Sequence, residues 1–398
     1  MSAHLKKYFQ QYISASRLKK IRTFARNKET PFLVIDLKRI EKNYEELHRA
    51  MRGAKIYYAV KANPHDDVLR VLYKKGSYFD IASRFEIDQL LNLGVEPERM
   101  SYGNTIKKSE DIAYAYSVGI RLYTTDSHSD VEKIAKHAPG SKVTFRLLFD
   151  GEGADWPLSR KFGAHPDMLY RLIKQAKTKG LDPFGVSFHV GSQQRDIGQW
   201  DSAIARCRYL FDALKNDHIK LKAINLGGGF PAKYLQPTAS TSEYAHRIKQ
   251  YLKDDFGDDT LEILIEPGRS IVGDSGILFS EVVLISHKSE AHDTRWVYLD
   301  VGKFNGLIET LEEAIKYPII VEGKEKTKKV SPVILAGPTC DSCDILYEKY
   351  KYQFPDNLKE GDWVNILSTG AYTTSYSSVN FNGFQPLKVY IFKEETGI

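Results

Sequence analysis

The chain has 398 residues, 42% hydrophobic and 27% charged, and its 57 Lys and Arg against 51 Asp and Glu give a formal net charge of +6. This is globular composition, long enough for two or three domains and too hydrophobic for disorder. No apolar run approaches the roughly 18 residues of a membrane-spanning helix, and so small a basic excess does not point to nucleic acid as a partner.

Eight basic residues (Lys6, Lys7, Arg17, Lys19, Lys20, Arg22, Arg26 and Lys28) precede the first acid, Glu29. A solvated basic helix is the expectation here, ahead of an organellar import signal, because lysine outnumbers arginine and no apolar core is present. From residue 54 a rhythm begins. Short β-branched or aromatic runs occur at AKIYYAV (54–60), YFDIA (78–82), MSYG (100–103), RLYTT (121–125), KVTFRLLF (142–149), FGVSFHV (184–190), KAINL (222–226) and LEILIE (261–266). Each gap has room for a crossover helix, and FEIDQLLNLGV (85–95) and PDMLYRLIKQAKTKG (166–180) carry apolar residues at helical spacing. Alternation of strand and helix means parallel strands. A doubly wound open sheet would give the same alternation, but a count of eight favours a (β/α)8 barrel of the TIM type, assigned to residues 36–275.

After about residue 275 the pattern changes to ILFSEVVLIS (277–286), TRWVYLDVG (294–302), PVILAG (332–337), DWVNILST (362–369) and PLKVYIF (386–392), with little helix between them. Residues 276–398, joined by 1–35, are therefore expected to form a second, mostly antiparallel β domain, with EGKEKTKK (322–329) as an exposed hairpin tip. Three cysteines, Cys207, Cys340 and Cys343, are too few for a disulfide framework and fit a reducing compartment, so a cytoplasmic protein is expected. Cys340 and Cys343 form a C-x-x-C without the further ligands zinc requires, and no metal is expected. A thioredoxin-type pair would open a helix early in a compact fold, which position 340 does not suit.

The chemistry lies at the carboxyl ends of the predicted barrel strands, where such folds place it. Lys61 follows IYYAV, Asp80 closes YFD, Arg146 lies in the fifth run, His189 ends VSFH, Gly227, Gly228 and Gly229 follow AINL, and Glu266 ends LEILIE. Singly each has a bland explanation: a solvated lysine, a core histidine, a tight turn. Together they describe a site. A desolvated lysine can form a Schiff base, a Gly-Gly-Gly turn and Arg269 can cradle a phosphate, a carboxylate can hold a ring nitrogen protonated, and an imidazole can stack on a flat ring. That set suits pyridoxal 5′-phosphate.

The segments YYAVKANP (57–64), FDIASRFEI (79–87), FHVGSQ (188–193), INLGGGFP (224–231), EPGRSIVG (266–273), GPTCDSCDIL (337–346) and GAYTTSYSSVNFNGF (370–384) carry a resemblance from about residue 30 to the end. The chain resembles the fold type III pyridoxal-phosphate-dependent amino-acid decarboxylases, in their ornithine/lysine branch. The resemblance implies Lys61 as the Schiff-base lysine, Glu266 at the ring nitrogen and His189 stacked on the ring. Asp80, Arg146 and Ser192 would support them, and Gly227, Gly228, Gly229, Gly268, Arg269 and Tyr372 would hold the phosphate end. Cys340 would return a proton to the α-carbon, and Asp341 and Phe381 would meet the substrate. The resemblance further implies a homodimer with active sites between subunits, and a mobile lid in GEGADWPLSRKFG (151–163).

Cys340-Asp341 and FNGF (381–384) resemble the ornithine branch rather than the diaminopimelate one, so ornithine is the expected substrate and putrescine, a polyamine precursor, the product. Lysine is the runner-up, since the two differ by one methylene. A non-catalytic regulatory homologue is a remoter alternative, and an amino-acid racemase on the same barrel remoter still. The segment DVGKFNGLIETLEEAI (300–315) corresponds loosely to the family's specificity helix, and of its acids Glu309, Glu312 and Glu313 the last is assigned to substrate.

Overall fold

In the computed structural model, which describes residues 9–156, 161–257, 260–290 and 294–393, the eight runs close into a parallel barrel. After β1 (Phe32–Asp36), the barrel strands are β2 (Ala54–Ala59), β3 (Tyr78–Ile81), β4 (Met100–Tyr102), β5 (Leu122–Thr125) and β6 (Lys142–Arg146). A short β7 (Ala154–Trp156) intervenes before β8 (Asp182–Ser187), and β9 (Ser192–Gln194) before β10 (Ala223–Asn225) and β11 (Glu262–Ile265). The ring runs β2, β3, β4, β5, β6, β8, β10, β11 and back to β2. Its floor is filled by Tyr57, Leu122, Phe184, Ala223 and Leu264, with Tyr78 packed against them, the close-packed interior such a barrel needs.

Outside, helix Pro166–Thr178 buries Leu169, Leu172, Ile173 and Ala176, the i, i+3, i+4, i+7 stripe its sequence announces. Helix Arg84–Asn92 departs from its pattern. Ile87 and Leu90 are buried, but Phe85, in its first turn, is 83% exposed.

The remaining strands are β12 (Gly276–Ser286), β13 (Arg295–Leu299), β14 (Ile319–Val321), β15 (Val330–Ala336), β16 (Ile345–Pro355), β17 (Trp363–Leu367) and β18 (Lys388–Phe392). With β1 they make an eight-stranded sheet, antiparallel except for the β1–β18 and β13–β15 pairs. The chain divides into two compact units, Glu41–Pro231 with Thr238–Ser270, and Met1–Ile40 with Ala232–Pro237 and Ile271–Ile398. The short excursion at Ala232–Pro237 has no counterpart in the sequence pattern.

Two expectations are corrected. Residues 322–329 are not a hairpin tip, because the strands they join do not pair: β14 pairs with β17, and β15 with β13 and β16. Within them Glu325 meets Arg22 at 2.5 Å and Lys324 pairs with Asp362. Nor is the amino-terminal helix, Ala15–Ala25, simply solvated. It buries Ile21 and Ala25 against Phe32, Val34, Phe279 and Phe392, and Arg17 forks onto Asp36 through bonds of 2.7 and 2.5 Å. Arg17 and Arg22, the latter donating to Asn365 Oδ1 at 2.7 Å, anchor it to the sheet, whereas Lys19, Lys20 and Arg26 are exposed as expected, and Lys6 and Lys7 lie outside the described residues. No helix among the described residues is long and apolar enough to cross a membrane.

Candidate active site

Strand register brings the polar residues to one rim. Asp80 lies level with Ala59 and Ser101, and Arg146 and Asn225 both lie level with Ser187. Lys61 stands two residues past β2, in the single turn Val60–Ala62. Gly268 lets that turn press in, since a Cβ there would stand 2.8 Å from the Ala62 methyl. Lys61 Nζ donates to Asp80 Oδ2 at 3.3 Å, with the lysine side chain half exposed and the aspartate 5% exposed. Asp80 Oδ1 is buried without a hydrogen-bond partner. It leans on Gly103, where a Cβ would come within 1.9 Å of it.

A second carboxylate lies near this pair. Ser83 caps helix Arg84–Asn92 by accepting from the Glu86 N–H, and Glu86 Oε2 accepts from the Ala82 N–H at 2.6 Å. Burial pushes the Glu86 carboxyl up to about 7; the Ala82 N–H opposes this, the nearby Asp80 charge adds to it, and Lys61 opposes it. Glu86 was not singled out in the sequence, although Ser83-x-x-Glu86 is a legible capping box.

Glu266 is pushed up to about 7 by burial first and by the Asp80 charge next, against the pull of Asn225, Lys61 and Arg146. Asn225 Nδ2 donates to Glu266 Oε1 at 2.5 Å, while Asn225 Oδ1 accepts from the Gly227 N–H at 2.9 Å. Asn225 thus ties the acid to the glycine turn, a link nothing in the sequence signalled. His189 is held well below its ordinary pKa by burial, with Arg146 and Lys61 adding to the effect. Its Nδ1 accepts from the Gly191 N–H at 3.0 Å, so the neutral ring carries its proton on Nε2. Burial likewise lowers the Arg146 pKa, opposed by Glu266, Asp126 and Asp80.

The glycines are required one by one. Gly227 and Gly229 have φ of +63° and +98°, and a Cβ on Gly227 would lie 2.0 Å from the Phe188 carbonyl. A Cβ on Gly228 would sit 2.8 Å from His189 Nε2. Only glycine lets the turn pack this closely on Phe188, His189 and Gly191, and a glycine turn is the backbone from which anion-binding nests are built. Ser192 Oγ accepts two bonds of 3.1 Å from the Arg269 guanidinium and keeps its own proton to donate; both residues are buried. These residues fit pyridoxal phosphate on structural grounds. The orphan Asp80 oxygen, the neutral imidazole, the proton-sharing Glu266 and the glycine–Ser192–Arg269 cradle match a lysine-linked, phosphorylated aromatic ring.

The other unit carries the remaining expected residues. Tyr372 has φ +63°, a conformation that bulky side chains rarely adopt and that gathers at functional sites. Cys340 and Asp341 lie in the turn of the β15–β16 hairpin. Cys340 is exposed, and its Sγ lies 3.3 Å from Asn382 Nδ2. Asp341 Oδ1 accepts from the Cys343 N–H at 2.8 Å. Phe381, next to Asn382, packs on Phe304 with ring centroids 4.6 Å apart. Buried Asp344 pins the turn by accepting from Lys303 N, Thr339 N and Thr339 Oγ1 at 2.7, 3.1 and 2.7 Å. Among the described residues no cluster able to hold a metal ion occurs.

Glu313 is corrected. Its oxygens accept from the backbone N–H groups of Glu348, Lys349 and Tyr350 at 2.7, 2.6 and 2.8 Å. Burial alone would raise its carboxyl, but the three donors outweigh it and hold the group below the usual range. The side chain staples β16, whose run of exposed residues disguises it as a loop. Glu313→Ala is expected to cost about 1 kcal/mol of stability and to leave KM for a basic amino acid within about twofold; melting and steady-state kinetics on one preparation check both. Of the lid segment 151–163, residues Ala154–Trp156 pair with β9 in an antiparallel ribbon, and 157–160 lie outside the described residues.

A closed barrel with a lysine, a carboxylate and a glycine cradle converging at its carboxyl rim defines a pyridoxal-phosphate-dependent enzyme. Residues 37–273 match the family described as "Pyridoxal-dependent decarboxylase, pyridoxal binding domain". Lysine/ornithine decarboxylase of Selenomonas ruminantium is 33% identical over 380 residues, 95% of this chain and 93% of that one. A chloroplastic ornithine decarboxylase of Nicotiana glauca is 33% identical over 90% of this chain and 82% of its own. The crystal structure of a Vibrio vulnificus lysine/ornithine decarboxylase complexed with cadaverine superposes with TM-score 0.86 at 27% identity, covering 96% of this chain and 100% of that one. The chain belongs to the fold type III pyridoxal-phosphate-dependent decarboxylases.

Proposed function

We propose that the protein decarboxylates L-ornithine to putrescine for polyamine synthesis, as a cytoplasmic homodimer. The observation that carries the substrate assignment is Asp341 beside Cys340 in the hairpin turn. The Cys343 N–H occupies Asp341 Oδ1, and its second oxygen suits a distal ammonium rather than another carboxylate. Pyridoxal phosphate supplies the electron sink for the pair left behind by carbon dioxide. Lys61 would receive the cofactor and release product, Asp80 orients the Lys61 amine, and the Glu266 carboxylate would keep the ring nitrogen protonated. His189 presents a neutral flat face, and Ser192 and Arg269 bind the phosphate end. Cys340 delivers the proton that replaces the carboxylate on the α-carbon.

Lysine is the second reading, favoured by the name of the Selenomonas relative. The test is kcat/KM for ornithine and lysine on one loaded preparation. Ornithine is expected to lead by roughly 10–200-fold, the worth of one methylene in a pocket; a lead for lysine would reverse the assignment, and release of carbon dioxide from neither would favour the regulatory homologue. Cys340→Ala is expected to slow amine formation by about 10²–10⁴-fold and divert part of the turnover to aldehyde. Full rate with clean amine would remove Cys340 from the proton-donor role. Sedimentation of the loaded protein checks the dimer.

A further inference from the structure

Lys107 has no role in the chemistry above, yet its side chain is completely buried. A buried ammonium is costly unless each of its N–H groups finds an acceptor. Here all three do. Lys107 Nζ donates to the Asn104 carbonyl at 2.9 Å, to the Thr124 carbonyl at 2.8 Å and to Asp130 Oδ2 at 2.7 Å. One cation thus joins the loop after β4, the end of β5 and helix His128–His137, which contains Asp130. Asp130 is met from its other side by Lys133 at 3.3 Å.

The loop so held touches the reactive pair. Gly103 N–H donates to the Ile81 carbonyl at 3.1 Å, and Asn104 Nδ2 to the Ala82 carbonyl at 3.1 Å. Residues 81 and 82 are therefore gripped on the side facing the loop, while Glu86 holds the Ala82 N–H from the other. Gly103 is also the residue with no room for a Cβ beside Asp80 Oδ1. An aspartate with one oxygen unbonded has no hydrogen bond to fix that side of its carboxylate. The wall it rests on must do so.

We propose that Lys107 is a positioning residue: its buried ammonium clamps the Gly103–Lys107 loop against Asp80 and so fixes the carboxylate that orients Lys61 for the cofactor. The proposal rests on Asp80 and Lys61 acting as that pair. Lys107 touches neither substrate nor cofactor. It works through Asn104 and Gly103.

Two variants of the full chain separate positioning from bracing. Lys107→Met/Asp130→Leu removes the buried pair together, a change that folded proteins often tolerate. Asn104→Ala leaves the pair intact and cuts the tie to Ala82. Asp80→Asn serves as the reference. Pyridoxal phosphate affinity is read without turnover, from quenching of intrinsic fluorescence, and kcat and KM follow. Both variants are expected to raise the pyridoxal phosphate dissociation constant about tenfold and lower kcat about tenfold, with KM within about twofold and melting near wild type, the scale typical of outer-shell ligand supports. Wild-type affinity and kcat in Asn104→Ala would overturn the proposal, even if the double variant fails to fold. Wild-type affinity and kcat in Asp80→Asn would sink the underlying reading of Asp80, and the proposal with it.

Discussion

Replacing Lys61 with alanine is expected to lower kcat by at least about 10⁴-fold, because the residue that receives the cofactor is also the one that releases product. The loss has a second, non-kinetic signature. Wild-type protein treated with pyridoxal phosphate and borohydride should gain one covalent adduct on the peptide spanning Lys61, and the variant none. Lys107 is fully buried in its own ion pair, and Lys61 is the lysine paired with Asp80. An adduct of equal yield on another lysine, with activity retained, would move the Schiff base elsewhere.

Glu266→Gln is expected to act in opposite directions on stability and on rate. The Glu266 carboxyl is raised from 4.5 to about 7 in the folded chain. A raised carboxyl binds its proton more tightly folded than unfolded, so its contribution to stability is complete below about pH 4.5 and is lost as pH rises through about 7. Glutamine keeps the hydrogen bond from Asn225 and never ionises. Ligand-free Glu266→Gln should therefore melt with wild type at pH 4.5 and about 2–5 °C above it at pH 8. The loaded variant should be slower by roughly 10²–10³-fold, the scale for deleting one preorganised electrostatic contact. Coincident melting of the two proteins across that pH range would show that water reaches Glu266 freely.

The eight barrel strands were legible because each is a short apolar run ending at a polar residue, and because the spacing leaves room for a helix. The rim residues were legible for the same reason: polarity at a strand end stands out against Val, Ile and Tyr. What the sequence hid has physical causes. β16 exposes Glu348, Lys349, Tyr350 and Lys351 in succession, so its middle lacks the alternation that marks half-buried strands. Asn225 and Asp344 work through backbone N–H groups and neighbouring carboxylates, contacts that depend on register and not on composition. Glu313 looked like a substrate ligand because an acid on a predicted helix suggests a free carboxylate. Its segment instead forms a kinked turn with Glu312 and Glu313 at φ of +53° and +58°, and that turn aims the carboxylate at backbone. Lys107 was hidden by an ordinary-looking KK pair, of which one member is buried and the other exposed.

The pairing of β1 sets a schedule for biosynthesis. Phe32 lies between Phe279 of β12 and Lys388 of β18. A ribosome adding about 5–20 residues per second emits FLVID roughly 20–70 s before its last partner strand. The barrel strands, in contrast, are all made by residue 265 and can close while the second sheet still lacks an edge. During that interval five consecutive residues destined for full burial present unpaired backbone and apolar side chains to solvent. Nascent chains stalled before residue 388 should therefore bind Hsp70-type holdases at 32–36, and release them once the tail is complete.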